Sequence, residues 1–549
     1  MNLYIKVSKD QKSSISGHYW LMFTPSYHIL LTFFFCLFLW TEGALAQQNN
    51  LPINRSFLLN IEKHLTSQDN PIHTAVKPYI ESFIKYDSIT IHENKIQEYR
   101  QYRSSFLRKI KYESLVQVDT GDFKLEINPL LDFSFYDDRA DPSLRADTTP
   151  FYNNTRGLQA KGSITNKISF ESIFLENQSF FVSYLNGWVK EWNVVPGQGR
   201  VKDFKGGGYD YAWASAYASY SPVKNLNLQF GHGKHFIGEG YRSLLLSDNA
   251  FVYPYLKINT VFSKNRFNYS NIYTSLQTLK RMQTQAQREE LFVRKLGTFH
   301  YFSWNITNKL QAGIFEGIIW KASDNNYPQT VNPLFYNPVI LVNTLVLIKD
   351  TFNNVSTGIN LKYKILKKTT FYGQLLLNGI KTSRIAWQAG LKTFDLFSVK
   401  NLHVQAEFNA ADPFTYAFRN PIQNYAHYNQ SLAHPLGAGF KEALLFIDYR
   451  FKDFFIGLKM NYAFVNGDTL NTNSGSNIFL PDNLAISSGT TTKDLIWHEI
   501  SWGYMINRKT NLKLMAGIMK RMSTDAKFKE SKILFVALRT DLFNRYYDF

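Results

Sequence analysis

The sequence has 549 residues, a formal net charge of +18, 16% aromatic residues and one cysteine. A single cysteine excludes an internal disulfide and a multi-cysteine metal site. The excess of basic residues favours anionic partners, and the residues after position 46 contain no apolar run of the roughly 20 residues that a transmembrane helix needs.

The first element in the chain is the apolar block Ile29–Trp40, which contains Cys36. The segment Ala44–Ala46 has the small-x-small form of a signal-peptidase site, and three lysines precede the block: Lys6, Lys9 and Lys12. This pattern predicts a signal peptide over residues 1–46 and export through the Sec pathway. An uncleaved membrane anchor and a start at Met22 are the alternatives. Because the segment holds three lysines and two carboxylates, its removal leaves a net charge of +17 and no thiol.

Residues 47–118 carry the periodicity of amphipathic helices. Phe57, Leu58, Ile61 and Leu65 recur at helical spacing, and Asn54 stands where an N-cap is expected. Similar spacing recurs in the stretches 75–86 and 94–110. The pattern predicts a small helical region, which we place on the periplasmic side of a membrane.

At Gly121 the hydrophobic period changes from 3.6 to 2. The stretches "FKLEINPLLDFSF" (123–135) and "FFIGLKMNYAF" (454–464) alternate apolar and polar residues, and the same alternation recurs up to the C-terminus. A soluble β-sandwich also alternates, but segments of about ten residues with aromatic residues at their ends are typical of membrane barrels. The sequence therefore predicts an all-β transmembrane barrel of roughly 16 to 18 antiparallel strands over residues 119–549.

The connections and the C-terminus support this interpretation. The turn Leu366–Lys368 is short, whereas three connections are long and polar, over residues 280–290, 409–442 and 466–494. Outer-membrane barrels gather short turns at one end and long loops at the other. Phe549 and Tyr547 alternate at the end of the chain, which predicts a terminal strand with the insertion signal of such barrels, although Arg545 interrupts the alternation.

The glycine-rich stretch "GHGKHFIGEGYRSLLLSDNA" (231–250) does not match either nucleotide-binding motif. Its third glycine, Gly238, comes too late for a dinucleotide fingerprint, and Gly233-Lys234 is followed by histidine where a phosphate loop needs serine or threonine. Zinc bound through His232, His235 and Glu239 is a weaker alternative, and so is the carboxylate pair Glu239 and Asp248 acting on a sugar. We therefore expect no metal, no cofactor and no catalytic residue here. The charged and polar side chains are either lumenal partners of one another or ligand-binding residues: Lys234, His235, Glu239, Arg242 and Asp248.

A second candidate site is the loop "YAFRNPIQNYAHYNQSLAHPLG" (416–437). Its aromatic rings can lie flat against sugar rings, and its basic side chains can bind acidic groups. The candidate ligand-binding residues are Tyr416, Arg419, Tyr425, His427 and His434. In the alternative interpretation the aromatic residues fold the loop over the mouth of the barrel.

Several long blocks carry a resemblance to a known family. The sequence "GHGKHFIGEGYRSLLLSDNAFVYPYLKINT", together with "LEINPLLDFSF", "NPLFYNPV" and "VQAEFNAADPFTYAF", resembles the Wzi-like capsule-assembly family. Within that family it is most similar to the branch of the gliding-motility protein RemB of Bacteroidetes. The blocks extend from about residue 121 to 445, which is most of the chain after the predicted signal.

The resemblance implies a non-enzymatic protein of the cell outer membrane that attaches or assembles surface polysaccharide, or that acts in gliding motility. The partners that it implies are outer-membrane lipid and lipopolysaccharide, acidic surface polysaccharide, and proteins of gliding or surface assembly. Nucleic acid is not expected as a partner. A channel or porin-like transporter is the alternative function, and an outer-membrane enzyme is a third.

Overall fold

The computed structural model describes residues 48–67, 71–84, 86, 104–141, 148–281, 292–324, 327–347, 352–379, 384–467, 473–483, 491–524 and 529–549. The predicted signal peptide lies outside the described residues. Residues Ala44–Phe549 form one compact unit.

In the described part of the chain, eighteen long strands form a closed barrel, in which each strand pairs antiparallel with the next and the last pairs with the first. This confirms the predicted fold class. The strands are β1 Phe123–Asp138, β2 Phe151–Ile164, β3 Ile168–Phe180, β4 Gly208–Val223, β5 Leu226–Gly233, β6 Tyr253–Phe262, β7 Phe267–Arg281, β8 Phe292–Asn305, β9 Leu310–Lys321, β10 Asn354–Leu366, β11 Thr369–Asn378, β12 Arg384–Phe394, β13 Leu402–Ala411, β14 Phe440–Phe451, β15 Phe454–Gly467, β16 Thr491–Asn507, β17 Leu512–Ser523 and β18 Glu530–Thr540.

The two faces of the barrel wall have the polarity of a membrane barrel. In β6, Leu256 points outward and is 43% exposed, whereas the adjacent Lys257 points into the lumen and is 1% exposed. Some aromatic side chains on the outer face are more exposed than Leu256, such as Phe135 and Phe230. An exposed apolar face around a polar interior is the reverse of a soluble sandwich, and it is what a surrounding hydrocarbon requires.

Short and long connections between the strands lie at opposite ends of the barrel. The turns between β4 and β5 (224–225), β10 and β11 (367–368) and β14 and β15 (452–453) lie at one end of the barrel, which we call the short-turn end. The longest connections, including 412–439 and 322–353, leave the strands at the opposite, long-loop end. The sequence predicted this division correctly.

Five helices lie in the described part: α1 Arg55–Ser67, α2 Glu81–Ile84, α3 Ser105–Lys111, α4 Ser183–Trp192 and α5 Val342–Val346. The described residues contain no helix that is long and apolar enough to cross a membrane. α1 begins where the predicted N-cap Asn54 accepts a hydrogen bond from the Phe57 amide at 3.0 Å. Its buried face contains Leu58, Ile61 and Leu65, as the periodicity predicted.

The described residues 48–84 pack inside the short-turn end of the barrel. Asn50 exchanges side-chain hydrogen bonds with Gln229 of β5, and Arg55 forms an ion pair with Asp448 of β14 at 2.7 Å. Val76–Lys77 pairs with Phe236–Ile237, the segment that follows β5. This stretch is therefore built into the lumen through its described residues, because lumenal polar groups provide their partners. Its location on the periplasmic side stays a prediction.

The C-terminal residues do not form the expected terminal strand. The last strand, β18, ends at Thr540, and residues 541–549 run through the lumen towards the long-loop end, where Phe549 packs against Tyr184 and Trp188 of α4. The prediction of a strand ending in Phe549 is wrong because the tail carries charges that need partners. Arg545, which interrupted the alternation, forms an ion pair with Asp132 of β1.

Candidate functional site

The glycine-rich stretch is a plug inside the barrel. Residues 234–252, which connect β5 to β6 and which we call the plug loop, turn inward, and most of their side chains are buried. Leu244 and Leu245 are fully buried in the largest apolar cluster of the lumen. Charge alone therefore does not explain this loop, since its leucines anchor it to the inner face of the wall.

Backbone amides of the plug loop bind a wall carboxylate. Glu407 of β13 accepts hydrogen bonds from the amides of Tyr241 and Arg242, at 2.7 and 3.0 Å, and from the Tyr372 hydroxyl at 2.8 Å. A β-carbon at Gly240 would collide with the Glu407 carboxylate. The glycine is therefore needed for close approach of the backbone to the wall.

Arg242 joins three parts of the molecule through a buried ion cluster. Its guanidinium donates to Glu442 of β14 at 2.8 Å and to Asp548 of the C-terminal tail at 2.8 Å, and all three side chains are at most 1% exposed. Lys459 of β15 lies 2.9 Å from Asp548, so two cations balance two carboxylates. Balanced charge is what makes such a cluster tolerable in a buried position.

The pKa values of the cluster are consistent with this pairing. Burial alone would raise the pKa of Asp548, but the charges of Arg242 and Lys459 outweigh it, and the pKa lies below its ordinary value. His434 lies against Glu442, with 2.7 Å between Nε2 and Oε2. Burial lowers the pKa of His434 despite that carboxylate, so its ring is neutral at pH 7.

The other charged residues predicted in the plug loop also have partners inside the lumen. Asp248 accepts from Tyr546 at 2.6 Å and Asn544 at 3.0 Å, both in the C-terminal tail. Burial raises the pKa of Asp248, although the nearby Lys234 opposes that shift. Lys234 donates to the carbonyls of Gly197 and Asp248, and burial lowers its pKa to about 8.

Glu239 and His235 do not form a metal centre. Glu239 accepts from Thr74 at 2.7 Å and lies 3.8 Å from the ammonium of Lys362. The His235 ring packs edge-on to Tyr255 with 4.3 Å between centroids, and burial lowers its pKa well below the usual range. Among the described residues, no group of three or more His, Cys, Asp or Glu side chains is placed to hold a metal ion.

The second predicted site lies in the loop 412–439, which we call the mouth loop and which closes the long-loop end of the barrel, the mouth, above the plug loop. Tyr416 and Tyr425 donate to the carbonyls of Leu244 and Leu245, at 2.8 and 2.6 Å. His427 accepts from the Gln277 amide at 3.0 Å. These tyrosines and the histidine are buried, so they fold the loop rather than face solvent.

The ten predicted binding residues therefore belong to one packed assembly. The structure brings Arg242 and His434 together on Glu442, and it buries nearly all of the others within the plug loop or beneath the mouth. Arg419 is the exposed member of the set, at the mouth. A ligand-binding role for these residues stays a prediction.

The surface of the mouth contains an aromatic group that sequence reasoning missed. The group consists of three partly exposed residues: Trp188 and Trp192 of α4, and Phe479 of the connection 468–490. The ring centroid of Trp192 lies 6.4 Å from that of Trp188 and 4.8 Å from that of Phe479. We call these three residues the mouth platform. Asn429 of the mouth loop donates to the Trp192 carbonyl at 3.2 Å. The spacing of the two tryptophans in "WVKEW" was the available signal, since residues four apart share a helix face.

The lumen contains a cavity beside the C-terminal tail. This cavity of about 250 Å³ lies between the C-terminal tail and the wall of β14–β18, and its lining includes Lys459, Lys513 and Arg539. This volume holds several water molecules. The plug loop, the mouth loop, the N-terminal segment and the C-terminal tail all contact one another or the wall inside the barrel.

Comparison with known proteins gives the fold. No protein-family model matches the sequence, and no curated protein sequence matches it. The chain is similar in fold to Wzi. This Escherichia coli outer-membrane protein is described as a carbohydrate-binding β-barrel involved in group 1 capsule assembly, and the match covers 90% of this chain and all of Wzi, with 12% identity and a TM-score of 0.55. At that identity the likeness shows the architecture alone.

More distant matches are porin-like barrels. OprD of Pseudomonas aeruginosa is 10% identical over 79% of this chain and 96% of its own, with a TM-score of 0.41. OccAB2 of Acinetobacter baumannii is 12% identical over 75% of this chain and 97% of its own, with a TM-score of 0.43. These scores are too low to support an argument about this chain. The fold is thus an outer-membrane type of barrel, and the comparisons do not extend to the RemB-like branch.

Proposed function

We propose that this protein is a plugged barrel of the bacterial outer membrane that binds surface polysaccharide at its mouth and has no catalytic role. The observation that carries the proposal is the combination of a plugged lumen with the mouth platform above it. Aromatic rings that are partly exposed suit the apolar faces of sugars. The carbohydrate binding described for Wzi, with which the chain shares its fold, supports the same function.

The basic charge of the chain points to an acidic glycan. The net charge of +18 attracts polyanions and raises their local concentration. At the mouth, Lys190 of α4 and Arg419 of the mouth loop are exposed. Acidic capsule and the phosphates of lipopolysaccharide are the anionic polymers of this compartment, so we propose them as ligands.

Binding of purified protein to acidic and neutral polysaccharides tests the proposal. We expect Trp192→Ala to weaken binding by roughly two- to tenfold, because one aromatic contact contributes about 0.5–1.5 kcal/mol. Trp304→Ala is the matched control, since Trp304 lies on the outer wall near the short-turn end. Equal affinity of both variants and the unchanged protein would rule out the mouth platform as the binding surface.

Gliding motility, implied by the RemB-like resemblance, is the second form of this proposal. A deletion strain distinguishes the two: loss of capsule retention supports polysaccharide attachment, and loss of colony spreading supports a role in gliding.

A porin-like channel is the competing function. Because the plug loop and its partners lie inside the lumen, we expect the protein to be electrically silent in planar bilayers, and steady ion conductance would favour the channel.

A further inference from the structure

Part of the connection from β9 to β10 lies on the outside of the barrel wall. Residues 331–347, which we call the outer flap, pack through Phe335 and Leu347 onto Ile318, Trp320 and other side chains of the wall. In β9 the alternate residues Phe315 and Ile319 belong to the lumenal cluster. Because side chains of a strand alternate between faces, Ile318 and Trp320 point away from the lumen, and the outer flap covers them from outside.

The outer flap reaches almost the full height of the wall. It leaves β9 at the long-loop end, yet Pro338 accepts hydrogen bonds from Tyr269 and, at 3.2 Å, from Asn271. Tyr269 is the third residue of β7, which begins at the short-turn end. A connection that belongs by its position to the outer loops therefore runs down the lipid-facing surface.

Beneath the outer flap lies a polar pair that points towards the membrane. His300 and Glu316 are 2.9 Å apart and each is 1% exposed. Glu316 also accepts from the Thr344 amide at 2.9 Å and from the Thr344 hydroxyl at 2.5 Å. Without the flap, this carboxylate would face hydrocarbon without a partner from outside the wall, and that is costly.

The depth of the pair follows from strand register. Ile314 pairs with Ile359 of β10, and Ile359 pairs with Leu375 of β11. These three side chains form one row of the lipid-facing belt, and they are 39%, 46% and 41% exposed. Glu316 lies two residues along β9 from this row. The outer flap thus covers the wall at the level of the apolar belt.

The composition of the outer flap suits hydrocarbon. No charged residue occurs between Asp324 and Lys349. Apart from Asn332 near its start, which is also exposed, the outer flap exposes large apolar or aromatic side chains: Tyr336, Val339, Val342, Leu345 and Val346. They continue the lipid-facing belt of the neighbouring strands rather than interrupt it.

Irregular backbone is tolerated at membrane depth only when its polar groups have partners. Three asparagines and the wall provide them in the outer flap. Asn332 and Asn337 accept from the amides of Leu334 and Val339, at 3.0 and 3.2 Å, and Asn343 donates to the Leu334 carbonyl at 3.1 Å. The Ile340 amide donates to the Tyr269 hydroxyl at 2.9 Å.

We infer that the outer flap is immersed in the membrane, where lipid acyl chains cover its exposed apolar side chains and the flap shields the His300–Glu316 pair. This inference depends on the barrel fold and not on polysaccharide binding. It also explains why so apolar a segment is accommodated in a connection between strands.

Nitroxide accessibility in the folded, purified protein tests this inference. A single cysteine is introduced by Leu345→Cys in a chain that carries Cys36→Ser, labelled, and reconstituted into phosphatidylcholine vesicles. We expect the label to be accessible to oxygen and shielded from a water-soluble nickel complex. Ile359→Cys is the matched control for lipid contact, and Lys190→Cys on α4 is the control for contact with water.

A label at Leu345 that behaves like the one at Ile359 supports lipid contact. A label that the nickel complex reaches as readily as it reaches the one at Lys190 overturns the inference, because these vesicles contain no other protein to cover the flap. Each variant is first checked for a heat-dependent shift on a denaturing gel, so that only folded barrels are compared. Polysaccharide binding by the same samples reports on the proposed function separately.

Discussion

Loss of the Arg242 side chain should release the plug loop while the wall remains intact. The guanidinium makes three charge-assisted hydrogen bonds, two to Glu442 and one to Asp548. Removing one partner of a buried ion pair costs about 3–5 kcal/mol. Glu442 keeps His434, and Asp548 keeps Lys459, so we expect Arg242→Met to cost about 3 kcal/mol, the lower end of that range. This corresponds to roughly a 100-fold change in the docking equilibrium.

Amide hydrogen exchange in detergent measures this change. Protection of residues 234–252 should fall by roughly 100-fold in Arg242→Met, whereas the amides of β13 and β14 should exchange as before. Arg139→Met is the matched control, because Arg139 and its partner Asp137 are 68% and 62% exposed, and such a pair contributes about 1 kcal/mol or less. Equal protection of the plug loop in both variants would refute the buried-cluster argument.

Two further changes test the pH response and the orientation of the wall. The pKa of His427 is lowered to about 3, chiefly by burial and also by the nearby charge of Lys295. The unfolded loop takes up a proton on His427 below pH 6.5, and the folded loop does not. The free energy that protects the mouth-loop amides from exchange should therefore fall by roughly 2 kcal/mol between pH 6.5 and 5. His427→Gln should remove this part of the slope, and an unchanged slope would contradict the assignment. Val536 of β18 is 54% exposed on the lipid face. Val536→Lys should lower barrel stability by roughly 2–4 kcal/mol in urea titrations of the protein in vesicles, and Val536→Thr much less; similar midpoints for both would contradict the outward orientation.

The barrel was predictable because its signal is local. Alternation of apolar and polar residues reports which face of a strand meets lipid, and it needs no knowledge of distant partners. The same holds for α1, whose apolar spacing predicted Leu58, Ile61 and Leu65 as its buried face. The long and short connections were predictable for the same reason, since the polarity and length of a connection are properties of its own sequence.

The interior was less predictable because its contacts join residues far apart in the sequence. Arg242 and Asp548 are 306 positions apart, and nothing in either neighbourhood indicates the other. The alternation of Tyr547 and Phe549 resembles that of a strand, which led to the wrong prediction for the C-terminus. Arg545 interrupts the alternation because it pairs with Asp132 inside the barrel. The outer flap was overlooked because proline and asparagine suggest an ordinary loop, whereas here asparagine side chains satisfy its backbone.

The path of the C-terminal tail has a practical consequence for labelling the protein. Because residues 541–549 ascend through the lumen and Phe549 reaches α4 at the mouth, a short epitope fused after the last residue would emerge among the outer loops. In the proposed orientation, antibodies added to intact cells would bind that epitope. In that orientation, the position of Phe549 beside α4 offers a display point on the exterior of the cell.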